Sequence, residues 1–462
     1  TTSGRLRRLR AGALAGWTNS TSHAVRRQVF WDTRSSARVE PTSPKPVTPS
    51  STPAAKPSAP AASTSGPAAK VAPWTGPVDD FHLVDGHIMG PWWQGGGPGV
   101  VYFTGPNAQY HKSFVTVGQN VAAKMGREYL EIHKEHLQSS DADRNGILVY
   151  PDGTARVRLM IMPGGNSFFC MADVAGVSEM TPEAAKNERA KFAEARKIPQ
   201  AAFRTGMNYV GCCGGFFTAT SGYDVPRALY TGWGLWPGKV KNIGPGKRTP
   251  FPDVVFDASQ ASHPLYKATQ GGVLKGMYYN GGPIGVLPDI PDTEYFGKYQ
   301  GGALTELAGD WFCVSYKAKD NLLGGRCVIA TGHPEVGHVA FLQAMADYAV
   351  DHEYEVTVKP LESGKPVEAV AGDDQVQYYS LAVEAGRKLT VTLTGLDENC
   401  DLYLRAGLPP TFKKHDLKST ADKAADEKLV VAATKAGTYY FGVHGRHAVL
   451  NGAKYTLTAT VE

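Results

Sequence analysis

The stretch Met207-Asn208-Tyr209-Val210-Gly211-Cys212-Cys213-Gly214-Gly215-Phe216-Phe217 constrains this chain more than any other. A short apolar run leads straight into a glycine-flanked cysteine, and the residues behind it can open a helix. The spacing is G-x-C-x-G, with Gly211, Cys213 and Gly215 at its fixed points. This is the cysteine form of a strand–turn–helix elbow, whose central residue sits on a strained turn and needs small residues two positions to either side. Such a turn presupposes a sheet with a helix packed behind it. It would hold the sulfur at a helix N-terminus, where thiolate is favoured, and aim the backbone N–H of Gly214 at a developing oxyanion. The competing reading is a structural cysteine in a glycine-rich turn, because cysteine is among the most buried residue types.

The flanking sequence supplies the sheet. Residues 100–103 form a short apolar run closed by Thr104-Gly105-Pro106-Asn107, and a helical pattern follows over 113–125. A second apolar run, 157–162, stops at Pro163-Gly164-Gly165-Asn166. Thr181-Pro182-Glu183 reads as an N-cap, an N1 proline and a first-turn acid, opening a helix that delivers the chain to the elbow. Residues 327–331 are another apolar strand, ending in Gly332-His333-Pro334-Glu335 ahead of a helical run over 336–350. Strands alternating with helices predict a three-layer α/β/α fold of the flavodoxin/Rossmann-like kind, with a mostly parallel sheet. In such sheets a site lies beyond the carboxyl ends of the strands, so the Gly-Gly turn and Cys213 should be neighbours.

A His two residues before a Glu, stiffened by the intervening proline, suits a cysteine presented by an adjacent strand. The imidazole can take the thiol proton and the carboxylate can fix its tautomer. Taken alone, His333 reads as a capping or surface histidine and Glu335 as a first-turn helix acid. A polar site at strand ends would add little packing, so substitutions there should cost little stability.

The chain has 462 residues, which suggests about two to four domains. Its net charge of +5 hides an asymmetry: residues 1–76 carry +9 and the remainder −4. The body is mildly acidic and shows no nucleic-acid face. Six cysteines lie without a C-x-x-C pair or zinc spacing, so neither a metal motif nor a disulfide framework is expected. No apolar run is long enough to span a membrane.

The first 40 residues are Arg- and Ser-rich, like an organelle presequence or the basic flank of a signal. Residues 41–76 are almost wholly Pro, Ser, Thr, Ala and Lys, and 1–76 reads as a basic tail with a disordered linker. Residues 77–354 then form the α/β domain. Beyond them, 355–462 alternate as strands near 376–383, 388–396, 401–405, 428–433, 438–443 and 454–461. Glycine-containing turns between them predict a small antiparallel β-sandwich. Asp397, Glu398 and Asp401 read as a solvated acidic turn, with calcium ligation as the alternative.

The ordered motifs resemble class I glutamine amidotransferase-like domains, in which a glycine-flanked Cys and a downstream His-Pro-Glu form a triad. Among them the chain is similar to the amidotransferase-like domain of biotin–protein ligase N-termini and of stand-alone bacterial proteins. The residues are Val101 to Pro106, Met162-Pro163-Gly164-Gly165, Tyr209 to Gly215, Tyr278-Tyr279-Asn280-Gly281-Gly282 and Gly332-His333-Pro334-Glu335. The resemblance implies Cys213 as nucleophile, His333 as base and Glu335 as its orienter. It further implies Gly165 and Gly214 as oxyanion donors, Asn280 as a substrate-side polar group (or a turn asparagine), and no cofactor. Two cysteines, Cys212 and Cys213, stand where the family has one; the spacing assigns the role to Cys213. No glycine- and arginine-rich adenylate-forming motif follows, so biotin ligation is not expected.

Val383-Glu384-Ala385-Gly386, Cys400 to Leu404 and Ala436 to Val443 resemble the bacterial pre-peptidase C-terminal domain, a module appended to secreted hydrolases. The combination implies a cysteine hydrolase of a small-molecule or peptide amide, carried outside the cell or on its surface. The sandwich would hold a polymer or surface. A non-catalytic ligand-binding scaffold is the rival account, and the Arg-rich start leaves a mitochondrion-like organelle as the rival location.

Overall fold

The computed structural model describes residues 80–90, 98–105, 108–137, 147–165, 189–223, 232–242, 248–249, 251–300, 307–446 and 452–462. The tail and linker over 1–76, Pro106, Asn107, Asn166, Cys170 and Thr181-Pro182-Glu183 lie outside them.

A nine-stranded sheet organises the first part. From one edge its strands are Val273–Leu274, Asp253–Val255, Thr293–Gln300, Trp311–Tyr316, Cys327–Ala330, Asn208–Cys212, Leu159–Met162, Pro98–Phe103 and Glu128–Ile132. The five from Cys327–Ala330 onward run parallel, and the other four are antiparallel. The sheet is therefore mixed, which corrects the mostly parallel expectation. For the pairings of Trp311–Tyr316 with its two neighbours the cause is connection length. About ten residues separate Gln300 from Trp311, and about ten separate Tyr316 from Cys327. A parallel crossover needs a dozen or more.

Helices cover both faces. Lys112–Lys124 buries Phe114, Val117, Val121 and Ala122 at helical spacing, and with Val339–Val350 it packs on Val100, Tyr102, Leu159, Ile161, Val210 and Val328. The opposite face, with Val101, Met160, Tyr209 and Ile329, receives Lys197–Arg204 and Gly214–Ala219. Every residue of the strands Pro98–Phe103, Leu159–Met162, Asn208–Cys212 and Cys327–Ala330 is buried, so these read as unbroken apolar runs. The last helix starts at Val339, three residues later than its pattern predicts, because Gly337 (φ 87°) breaks the backbone after the His-Pro-Glu turn. Among the described residues no helix is long and apolar enough to cross a membrane.

The C-terminal part is a sandwich of a five- and a four-stranded sheet. Leu389–Thr394 alternates buried and half-buried residues, as a strand with one face on a core must. Its buried residues Leu389, Val391 and Leu393 pack with Leu402, Leu404, Phe441 and Val443 between the sheets. All pairings are antiparallel except the edge strand Val358–Pro360, which runs parallel to Val376–Val383. That strand, Val367–Ala371 and Leu417–Ser419 are additions to the strands expected from sequence.

The strand Tyr354–Glu355 pairs with His87–Gly90 and so bridges the position where one domain was expected to give way to the next. The two parts also meet through polar clasps. Asp80 accepts from Arg405 (2.6 Å) and Lys414 (2.9 Å), Phe81 sets its ring edge-on to Tyr378, and Gln375 donates to Asp152 (2.8 Å). Burial pushes the Asp80 carboxyl up, but Arg405 and Lys414 outweigh it and hold the pKa at about 2. A depressed carboxylate stabilises above its ordinary pKa, and the contribution is lost as pH falls through about 2. We expect Asp80→Asn to speed proteolytic cleavage near residues 80–90 at neutral pH, read by mass spectrometry. Unchanged cleavage would show that the clasp does not hold this segment.

Candidate active site

The strand Asn208–Cys212 delivers Cys213 to the turn, and Cys213 carries φ 49° and ψ −103°, a backbone state that costs a non-glycine residue of order 1–3 kcal/mol. The helix Gly214–Ala219 begins with the next residue. The two flanking glycines are steric requirements. A Cβ on Gly211 would sit 2.8 Å from the Gly215 carbonyl, and one on Gly215 would collide with the Met162 carbonyl oxygen. The Cys213 N–H donates to the Ala330 carbonyl (2.9 Å), which ties the elbow to the strand leading to His333.

Met162 ends its strand at the Pro163-Gly164-Gly165 turn, and that turn lies against the elbow as expected. A Cβ on Gly214 would come within 2.6 Å of the Gly165 oxygen and 3.1 Å of its nitrogen. The backbones of Gly165 (φ 126°) and Gly214 thus run side by side next to Cys213.

His333 and Glu335 are each 1% exposed, and Nδ1 meets the Glu335 Oε1 at 2.6 Å. They are neither surface nor capping residues. The His333 N–H donates to the Tyr278 carbonyl (2.9 Å), and the Tyr278 ring lies 5.2 Å from the imidazole. On the other side a Cβ on Gly164 would stand 2.8 Å from the imidazole Cε1. Ser113 Oγ donates to the Glu335 carbonyl (3.0 Å), fixing the turn to the first long helix. Burial alone would lower the His333 pKa, but the Cys213 charge and then Glu335 outweigh it and raise it to about 10. The imidazole Nε2 and the Glu335 Oε2 are buried without a hydrogen-bond partner among the described residues.

The adjacent cysteine differs in kind. Cys212 is the last strand residue and points into the core with Val210 and Ala330, where burial, then the charges of Glu335, Cys313 and Cys213, push its thiol well above the ordinary range. Asn280 is half-buried in the two-residue strand Tyr279–Asn280, paired with Arg248–Thr249. The segment docks before His333, since a Cβ on Gly282 would strike the Thr331 carbonyl oxygen. Three contributors escaped the sequence reading: Gly164 against the imidazole, Tyr278 over it and Ser113 behind Glu335. The first two sit inside motifs that were singled out; Ser113 carried no signal. Among the described residues, no group of three or more His, Cys, Asp or Glu is placed to hold a metal ion. Asp397 accepts from the Lys454 N–H (2.6 Å), and Asp401 faces His444 and Arg446.

Brief iodoacetamide treatment followed by peptide mapping should label Cys213 first. Among the described cysteines it alone adjoins His333, while Cys212, Cys313, Cys327 and Cys400 are held in cores. Labelling led by Cys212 would overturn the elbow assignment.

Residues 375–445 match the bacterial pre-peptidase C-terminal domain family. A stretch of 86 residues, 18% of this chain, is 40% identical to alkaline serine exoprotease A of Vibrio alginolyticus and spans 16% of that protein's length. Among solved structures, the pre-peptidase C-terminal domain of a Bacillus anthracis collagenase matches over 24% of this chain and 100% of its own, at 14% identity and TM-score 0.19. A glutamine amidotransferase matches over 55% of this chain and 99% of its own, at 12% identity and TM-score 0.32.

Proposed function

We propose that the chain is a cysteine-dependent hydrolase of C–N amide bonds, with an amidotransferase-like domain over 77–354 and a binding sandwich over 355–462. The observation that carries this reading is the buried His333–Glu335 pair, whose imidazole is held charged chiefly by Cys213 on its strained turn. The motif order that resembles the biotin–protein ligase N-terminal type supports the same roles. His333 already carries the proton of the Cys213 thiol when Cys213 attacks the amide carbonyl, Glu335 holds the imidazole through Nδ1, and the N–H groups of Gly165 and Gly214 receive the oxyanion. The amine departs with the proton from His333, and water then releases the acyl group. Asn280 is a substrate-side polar group. No cofactor enters this scheme.

The partner is a small-molecule or peptide amide, and the sandwich holds the enzyme to a polymer or surface outside the cell. The match of 375–445 to a bacterial family favours that location over an organelle. A panel of amides ranging from free glutamine to short peptides, assayed for released ammonia or amine, tests the reading. Turnover that Cys213→Ala removes is the expected result. Turnover that survives the substitution would overturn it, as would a panel without turnover in which brief iodoacetamide also spares Cys213; the scaffold account would then stand.

A further inference from the structure

Cys213, His333 and Glu335 are closed off from solvent: the cysteine is 5% exposed and the pair behind it 1%. An amide carbonyl has to come within about 3–3.5 Å of the sulfur to be attacked, with its nitrogen in reach of the imidazole. No substrate can take that position unless a covering group moves.

The surroundings of the imidazole show which group that is. Glu335 is itself buried and holds Nδ1, and the Gly164 backbone closes the Cε1 edge. The backbones of Gly165 and Gly214 lie against each other, so neither retreats without disturbing the elbow. The remaining neighbour is the Tyr278 ring, 5.2 Å from the imidazole between centroids.

Tyr278 has a fixed backbone and a loosely held side chain. Its carbonyl accepts from the His333 N–H (2.9 Å), the Met277 N–H donates to the Pro252 carbonyl (2.8 Å), and the Gly276 N–H donates to Asp253 Oδ1 (2.9 Å). Met277 and Tyr279 on either side are fully buried, and the Tyr279 hydroxyl donates to the Gly282 carbonyl (2.6 Å). Tyr278 is only half-buried, and among the described residues its hydroxyl makes no hydrogen bond. Besides the imidazole its ring meets Phe251, at 5.6 Å, and Phe251 is itself 56% exposed. A ring held by stacking can swing out about its own side-chain bonds, a motion that exposed side chains make within nanoseconds. Losing such a contact disfavours the open position by up to roughly tenfold.

We infer that Tyr278 is a gate over the Cys213–His333 pair: its ring shuts the site, Phe251 holds the ring shut, and rotation of the ring admits the substrate. This rests on the hydrolase reading for its purpose, and it adds to that reading the way in. Shut, the ring keeps bulk water off the pair between turnovers.

Two alkylating agents with the same reactive group, iodoacetamide and its fluorescein derivative, test the gate on the full chain, with glutathione as the unhindered thiol. At Cys213 the bulky reagent should lag iodoacetamide by at least tenfold more than it does with glutathione. Tyr278→Ala should raise the bulky rate at least tenfold, whereas Tyr278→Phe, which keeps the ring, should behave as the parent. Phe251→Ala should raise it two- to fivefold with an unchanged Tm and an unchanged pH midpoint of alkylation, since Phe251 stacks on Tyr278 and not on His333. A size penalty that is absent from the parent, or indifferent to Tyr278→Ala and Phe251→Ala, would overturn the gate. So would its loss in Tyr278→Phe, a midpoint that moves in Phe251→Ala, or labelling that spreads to the buried Cys212 and Cys313. Turnover keeps the two ideas apart. A size penalty that both alanine variants relieve, without turnover of any amide, leaves the gate standing and removes the hydrolase reading. Turnover that depends on Cys213, with a size penalty that neither variant changes, does the reverse.

Discussion

Cys213→Ala and His333→Ala should each lower amide turnover by roughly 10⁴- to 10⁶-fold, and the double substitution should add almost nothing. The reason is that nucleophile and base act as one unit: a thiol without the imidazole is not activated, and an imidazole without the thiol has nothing to activate. Glu335→Gln should be roughly a hundredfold less severe, because the amide can still hold Nδ1 at the position the carboxylate occupies, 2.6 Å away, without taking the proton itself. Gly164→Ala belongs to the same set. Its Cβ would stand 2.8 Å from the imidazole Cε1, so the ring must shift, and a shift of this size at a base costs up to about 10²-fold. Until a substrate is found, the rate of Cys213 alkylation at neutral pH reads the same coupling: His333→Ala slows it, Glu335→Gln slows it less. Equal rates in all backgrounds would disconnect Cys213 from the pair and leave the scaffold account as the better one.

Local chemistry made the elbow and the strand-end motifs readable. Gly211 and Gly215 are obligatory because carbonyl oxygens lie where their Cβ atoms would be, and that requirement is written within five residues. Apolar runs such as Cys327–Ala330 and Leu159–Met162 announce themselves because both faces of the sheet are covered. What could not be read was long-range. Ser113 reaches Glu335 across more than two hundred residues, and nothing near Ser113 signals it. The antiparallel half of the sheet was legible only in the lengths of two connections, a weaker cue than the strand–helix alternation that precedes them. Burial of the His333–Glu335 pair was likewise invisible, since a strand-end His-Pro-Glu has the composition of a solvated turn. The sandwich read well because its alternation is strict, as in Leu389–Thr394, whereas the edge strand Val358–Pro360 is too short and exposed to carry a pattern.

That hidden burial reverses the expectation that substitutions at this site cost little stability. His333→Ala strands the Glu335 carboxylate in the interior, and breaking a buried pair from one side costs about 3–5 kcal/mol. At roughly 2–4 °C per kcal/mol for a domain of this size, Tm should fall by about 10 °C. Glu335→Gln should lose less than half as much, since Nδ1 keeps a partner. The effect must also depend on pH, with a definite sign. The folded pKa of His333, about 10, lies above the ordinary 6.5, so its contribution is complete below about 6.5 and is lost as pH rises through about 10. The Tm gap between the parent and His333→Ala should therefore be widest near pH 6 and narrow steadily toward about pH 10.5, where only lost packing remains. Thermal denaturation across that range measures it. A gap that stays constant would mean that the imidazole is neutral in the folded chain. Cys213 would then have no charged partner at rest, and the proposed activation would have to be supplied entirely by the bound substrate.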